Sequence, residues 1–188
     1  MSTLIASNSL YDADTYYFLG ESIVIISQSF ITPSSKYLLD KISFVCKKSG
    51  SPTGNLFVKL YAHSGTYGES SLPTGDAIAI SSAIDVSNMS TSISAKDAIF
   101  DSTYEMLPNT NYVLSIEYSD GSSGNVVTVY DNGFGVDYEG NMAIYNGSWS
   151  FPSFGDNFLD ISFYVYGTPT SPTISNISQI SGIQSITF

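Results

Sequence analysis

Arginine is absent from this chain, histidine and cysteine occur once each, and charged residues make up only 12% of its 188 positions. Six lysines stand against seventeen acidic residues, for a formal net charge of −11. Nucleic acid is excluded as a partner on this balance, because phosphate neutralisation needs clustered cations and base readout leans on the arginine fork. Lys36, Lys41, Lys47, Lys48 and Lys59 do fall in one stretch, which reads as the solvated side of strands. The single Cys46 has no internal disulfide partner and sits in an alternating apolar run, so it is expected as a buried thiol behaving as a small hydrophobe. The single His63 stands beside Ser64 and Gly65, with no nucleophile-elbow or histidine-based metal motif around it. Acidic residues are plentiful, yet nothing singles out a working pair, and the chain is expected not to be an enzyme. No apolar run approaches the length of a membrane span, and Met1-Ser2-Thr3-Leu4-Ile5 lacks the basic start of a secretory signal. No membrane partner is expected.

What is present favours strands. Aromatics reach 14%, with fourteen Tyr and eleven Phe, and apolar residues alternate with period two. Strands are expected at Ile23 to Phe30, Leu38 to Lys47, Leu56 to Ala62, Ala77 to Ile84, Ala95 to Phe100, Asn111 to Tyr118, Val126 to Tyr130, Met142 to Tyr145 and Leu159 to Tyr166. Short strands with turn residues between them, and no helix-period segment, describe an all-β, two-sheet antiparallel sandwich. Leu38, Ile42, Phe44, Leu56, Val58, Leu60, Val113, Leu114, Ile161 and Phe163 are its expected core, although Val113 and Leu114, as neighbours, cannot both point inward.

Several segments in order sharpen this picture: Ser27-Gln28-Ser29-Phe30, Tyr37-Leu38-Leu39-Asp40-Lys41-Ile42, the turn Gly50-Ser51-Pro52-Thr53-Gly54-Asn55, Val58-Lys59-Leu60-Tyr61, Leu72-Pro73-Thr74-Gly75, Leu107-Pro108-Asn109-Thr110-Asn111-Tyr112 and Phe163-Tyr164-Val165-Tyr166-Gly167. Together they resemble a widespread jelly-roll module of lectin-like or carbohydrate-binding-like kind, found in large surface proteins and in phage and viral virion proteins. The resemblance covers about residues 22 to 167. It implies a jelly-roll sandwich and no shared catalytic centre, so it speaks to fold more than to function. The expected organisation is an N-terminal segment 1–21, the sandwich 22–167 and an extended C-terminal arm 168–188.

Two stretches carry candidate binding chemistry. The loop from Asp131 to Asn141 offers the oxygens of Asp131, Asp137 and Glu139, which suit Ca²⁺ as a hard cation, without the spacing of an established calcium loop. No other cofactor is expected. Tyr145, Trp149, Phe151 and Phe154 gather within ten residues, among Asn and Asp. Their ring faces suit stacking on a sugar. Trp149 and Phe151 would also serve to cap the open end of the sandwich, and the cap is the preferred reading of the sequence.

The C-terminal stretch repeats isoleucine at every third position: Ile174, Ile177, Ile180, Ile183 and Ile186. An α-helix would spiral these around its surface and a strand would divide them between two faces. Only a backbone with three residues per turn aligns them into one stripe. Such a stripe needs a groove on another surface, so the arm is expected to dock on other virion subunits or on copies of this chain. The first functional expectation is a virion structural protein, made in the host cytoplasm and carried on the particle. The alternative is a glycan-binding module for surface attachment.

Overall fold

The structure, a computed structural model, describes residues 1–9, 15–101, 103–132, 138–154 and 157–170. Its strands in chain order are β1 (Thr3–Asn8), β2 (Tyr16–Leu19), β3 (Ile25–Ile31), β4 (Tyr37–Ser49), β5 (Asn55–Ser64), β6 (Leu72–Ile80), β7 (Ile84–Asp85), β8 (Ser94–Ile99), β9 (Glu105–Met106), β10 (Asn111–Glu117), β11 (Val126–Tyr130), β12 (Met142–Tyr145), β13 (Trp149–Ser150), β14 (Ser153–Phe154), β15 (Asn157–Phe158) and β16 (Phe163–Pro169). Among the described residues the one helical element is a 3-10 turn at Val86–Asn88.

Two antiparallel sheets pack as a sandwich, as the period-two pattern predicts. The first is built around the long strand β4. Phe44 pairs with Phe163 on one side and with Lys96 on the other, while Cys46 pairs with Val129 and Ser94. It follows that β16 and β11 lie end to end along one edge of β4, with β8 along the other edge. Beyond them β1 pairs with β16, and β2 with β11. The second sheet runs β13, β12, β3, β10, β5, β6.

Between the sheets lie Leu19, Ile26, Phe30, Leu39, Ile42, Phe44, Leu56, Val58, Leu60, Leu114, Ile161 and Phe163, each fully buried. Each such side chain contributes about 1.5 to 3 kcal/mol by leaving water. Cys46 is also in this cluster, and burial pushes its thiol up to about 12, so it acts as a hydrophobe.

The expected core holds with one correction. Leu38 is half-buried and Leu39 takes its place. The cause is a bulge: partners of β16 step from Lys41 to Leu39 and skip Asp40. One extra residue reverses the face of everything before it. Asp40 then accepts a hydrogen bond from Thr168 Oγ1 at 2.9 Å.

Val113 and Leu114 are both fully buried, yet on opposite faces. Leu114 pairs with Gln28 and Leu60 on the core face, and Val113 pairs with Ser29 and Tyr61 on the outer one. The excursion 65–71 between β5 and β6 is tied to the segment that leads into β12. Ser71 N–H donates to Asn141 Oδ1 at 3.0 Å, and a Cβ on Gly68 would stand 2.5 Å from the Glu139 carbonyl.

Residues 1–21, set apart in the sequence reading, contribute β1 and β2 to the first sheet. At the other end β16 continues through Pro169, and Thr170 N–H still donates to Lys36 O at 3.1 Å. The five arm isoleucines lie outside the described residues.

Candidate ligand-binding face

Cross-strand register assembles a line of side chains on the outside of the second sheet. Trp149 faces Tyr145, Tyr145 faces Ile25, Ile25 faces Glu117, and Glu117 faces Phe57. Directly opposed residues in antiparallel strands point to the same side of the sheet. Their sequence neighbours Ile26, Ile116 and Val58 fill the core with no exposure, so the line itself points outward. All five members are half-buried. The Trp149 and Tyr145 rings lie 5.3 Å apart at 56°.

Beside this line runs a second outward row of Ala143, Ser27, Ser115 and Lys59. Its three small residues are buried although they face out. Glu117 is bonded to the Ser115 and Lys59 end of this row. It accepts from Lys59 Nζ at 2.5 Å, Tyr61 Oη at 2.9 Å and Ser115 Oγ at 2.7 Å. Burial first, and then the hydrogen bond to Glu117, push the Tyr61 phenol up to about 12, so it remains a donor at neutral pH.

At the Phe57 end the face opens into a cleft of about 490 Å³ lined by Ile25, Asn55, Phe57, Lys59, Glu117 and Asp120, among others. One wall depends on the Gly50 to Asn55 turn. Gly50 and Gly54 have φ of +68° and +93°, the region where glycine is strongly favoured. A Cβ on Gly54 would fall 2.4 Å from Asp120 Oδ2, so the bare backbone is what lets Asp120 lie against the turn. Tyr118 Oη donates to Thr53 O at 2.8 Å and Ser51 N–H to Asn125 Oδ1 at 2.8 Å, fixing the wall in place.

Of the four aromatic candidates, the structure brings Tyr145 and Trp149 into the line. Among the described residues neither belongs to the core cluster or packs against it. Phe151 is half-buried in the segment that follows β13, and the Phe154 side chain lies outside the described residues. The sequence reading missed Phe57, Lys59, Tyr61, Glu117 and Asp120. The alternation of β5 already separated Phe57, Lys59 and Tyr61 from Leu56, Val58 and Leu60, but nothing in one strand says which residues stand opposite it.

Of the three calcium candidates the structure describes two. Asp131 is buried at 1% exposure, Glu139 is exposed, and Asp137 lies outside the described residues. Among the described residues no group of three or more His, Cys, Asp or Glu side chains is placed to hold a metal ion. His63 has a partner the sequence did not suggest, with Nε2 2.9 Å from Ser71 Oγ. Ser71 is 1% exposed and pinned at its backbone to Asn141, so that hydroxyl is shielded from a substrate.

A buried polar tie joins the sheets. Gln28, fully buried on the core face of β3, donates to Asp160 Oδ1 at 2.6 Å and accepts from Ile161 N–H at 3.0 Å. It satisfies the backbone just before β16 enters the first sheet, a structural duty. No family model matches the chain, and no curated protein does.

Proposed function

We propose that this protein is a non-enzymatic carbohydrate-binding module whose ligand lies along the outer face of the second sheet. The observation that carries the reading is the line Trp149, Tyr145, Ile25, Glu117, Phe57, held in one register across five strands. Aromatic rings at both ends of an outward row, with a carboxylate between them and an ammonium beside it, match a sugar chain. The apolar C–H faces of the sugar stack on rings while its hydroxyls meet charged acceptors and donors. Four strand spacings make the line roughly 19 Å long, suited to an oligosaccharide more than to a single ring.

The site is pre-organised, because Glu117 is already held by Lys59, Tyr61 and Ser115. Binding therefore orders few side chains. The shielded Ser71 beside His63 supports binding over hydrolytic chemistry.

The second reading, display on a virion through the arm, complements the first. Its support is the period-three run Ile174, Ile177, Ile180, Ile183 and Ile186, together with the lack of any charged residue from 168 to 188. An uncharged, isoleucine-rich segment can approach another copy of a chain of net charge −11 with less repulsion than the domain itself. Calcium at the loop from Asp131 to Glu139 rests on its oxygen-rich sequence alone.

A glycan array probed with the wild-type chain and with Trp149→Ala tests the first reading. The wild type should retain a set of oligosaccharides that the folded variant loses. Equal retention by both would move the site elsewhere, and release of reducing ends from a bound glycan would replace binding with hydrolysis. For the second reading, a chain ending at Thr170 should stay folded and fail to assemble. Normal incorporation of that truncated chain into a particle would refute it.

A further inference from the structure

Resting on the glycan-binding reading, we propose that the cleft at the Phe57 end of the face takes a sugar carrying a free amine and turns away sugars carrying carboxylate, sulfate or phosphate. The cleft, about 490 Å³, is within the size range of small-ligand sites. It has an apolar wall, from Ile25 and Phe57, and three charged groups, Lys59, Glu117 and Asp120.

The charges do not balance, and the arithmetic is local. Lys59 and Glu117 form an ion pair at 2.5 Å with side-chain exposures of 25% and 19%. Glu117 also accepts from Tyr61 and Ser115, so most of its lone-pair positions are already used. The pair is neutral as a unit, and Lys59, the one cation among the described residues lining the cleft, is spent within it. Asp120 differs. It is exposed, its side-chain contact is a 3.4 Å hydrogen bond from the Ser119 hydroxyl, and among the described residues no cation is paired with it. Its carboxylate lies over Gly54, where any side chain would collide with it. A ligand seated on Phe57 thus meets one uncompensated carboxylate at the cleft edge.

An ammonium on the sugar would complete that charge and donate hydrogen bonds to it, stronger than those of a hydroxyl. An anionic sugar would meet Asp120 with no free cation to offset the repulsion, inside the field of a chain of net charge −11. A neutral sugar binds through stacking alone and falls between the two.

Titration calorimetry at low salt, in buffer acid enough to keep the amine protonated, separates these cases. The probes are a β-1,4-linked glucosamine oligosaccharide, its fully N-acetylated counterpart and an oligogalacturonate. The amine form should bind roughly five- to tenfold more tightly than the acetylated form, and the acidic form should not bind. Asp120→Asn should abolish the amine preference while keeping the acetylated form bound. Asp101→Asn, an equal change of charge at an exposed loop remote from the cleft residues in sequence, should leave the preference intact. Equal binding of the amine and acetylated forms, binding of the galacturonate, or a preference that survives Asp120→Asn would overturn the inference while leaving the glycan reading standing. Failure of all three probes to bind the wild type would overturn both.

Discussion

Strand β5 carries two regions on alternate residues, and they have opposite duties. Leu56, Val58 and Leu60 point between the sheets and are fully buried. Phe57, Lys59 and Tyr61 point outward, half-buried, into a line of rings and charges assembled from five strands. The inner set needs only apolar volume, and any strand with the right period supplies it. The outer set needs particular partners opposite particular positions, which only pairing provides. Stability and recognition therefore separate by the parity of residue number along this strand, and substitutions should respect that division.

The largest expected effect comes from the inner set. Leu60→Ala should cost about 2 to 5 kcal/mol by leaving a cavity between the sheets, read as a lower urea midpoint with an unchanged slope. A small loss would break the comparison at its root, because the core would then not depend on this side of the strand. Gln28→Leu should cost about 1 to 3 kcal/mol, since it strips a partner from buried Asp160 and from Ile161 N–H. The same unfolding measurement reads it.

On the outer set the signs reverse. Trp149→Ala and Phe57→Ala should each weaken glycan binding by at least about tenfold, or roughly 1.4 kcal/mol, with little change in melting temperature. Unfolding of Trp149→Ala would show that the rings serve the core after all. Gly50→Ala sharpens the contrast from a third direction. Its φ of +68° and a Cβ 2.2 Å from the Gly124 carbonyl should cost at least about 1 to 2 kcal/mol of stability and loosen the cleft wall, affecting both readouts.

The smallest effect is a pH dependence. Burial lowers the His63 pKa below its ordinary value, so the folded chain binds its proton less readily than the unfolded one. The stability contributed by neutral His63 is fully present above the unfolded value of about 6.5 and falls as pH drops through that range. His63→Gln should flatten that slope in thermal melts between neutral and mildly acid pH. An unchanged slope would assign it to other groups.

How far the sequence reaches is also set by this division. Alternation found all or part of nine strands, β3 to β6, β8, β10 to β12 and β16, and nearly all of the core, because burial on one face imposes period two whatever lies opposite. It misjudged Leu38 because a bulge at Asp40 is a property of the pairing with β16, invisible in β4 alone. It passed over β1 and β2 because their partners, β16 and β11, are far along the chain and their own alternation is short. The candidate site was half legible. Trp149 and Tyr145 declared themselves as clustered rings, while Phe57 and Glu117 joined them only through register.

The most direct test of the central claim, that the outer face of the second sheet is the ligand face, is amide chemical-shift mapping during titration with an oligosaccharide that the array retains. Perturbed signals should trace the Trp149 indole, Tyr145, Ile25, Glu117 and Phe57, with the first sheet silent. Shifts confined to the outer face of the first sheet, around Tyr16, Phe18 and Tyr166, would contradict the account.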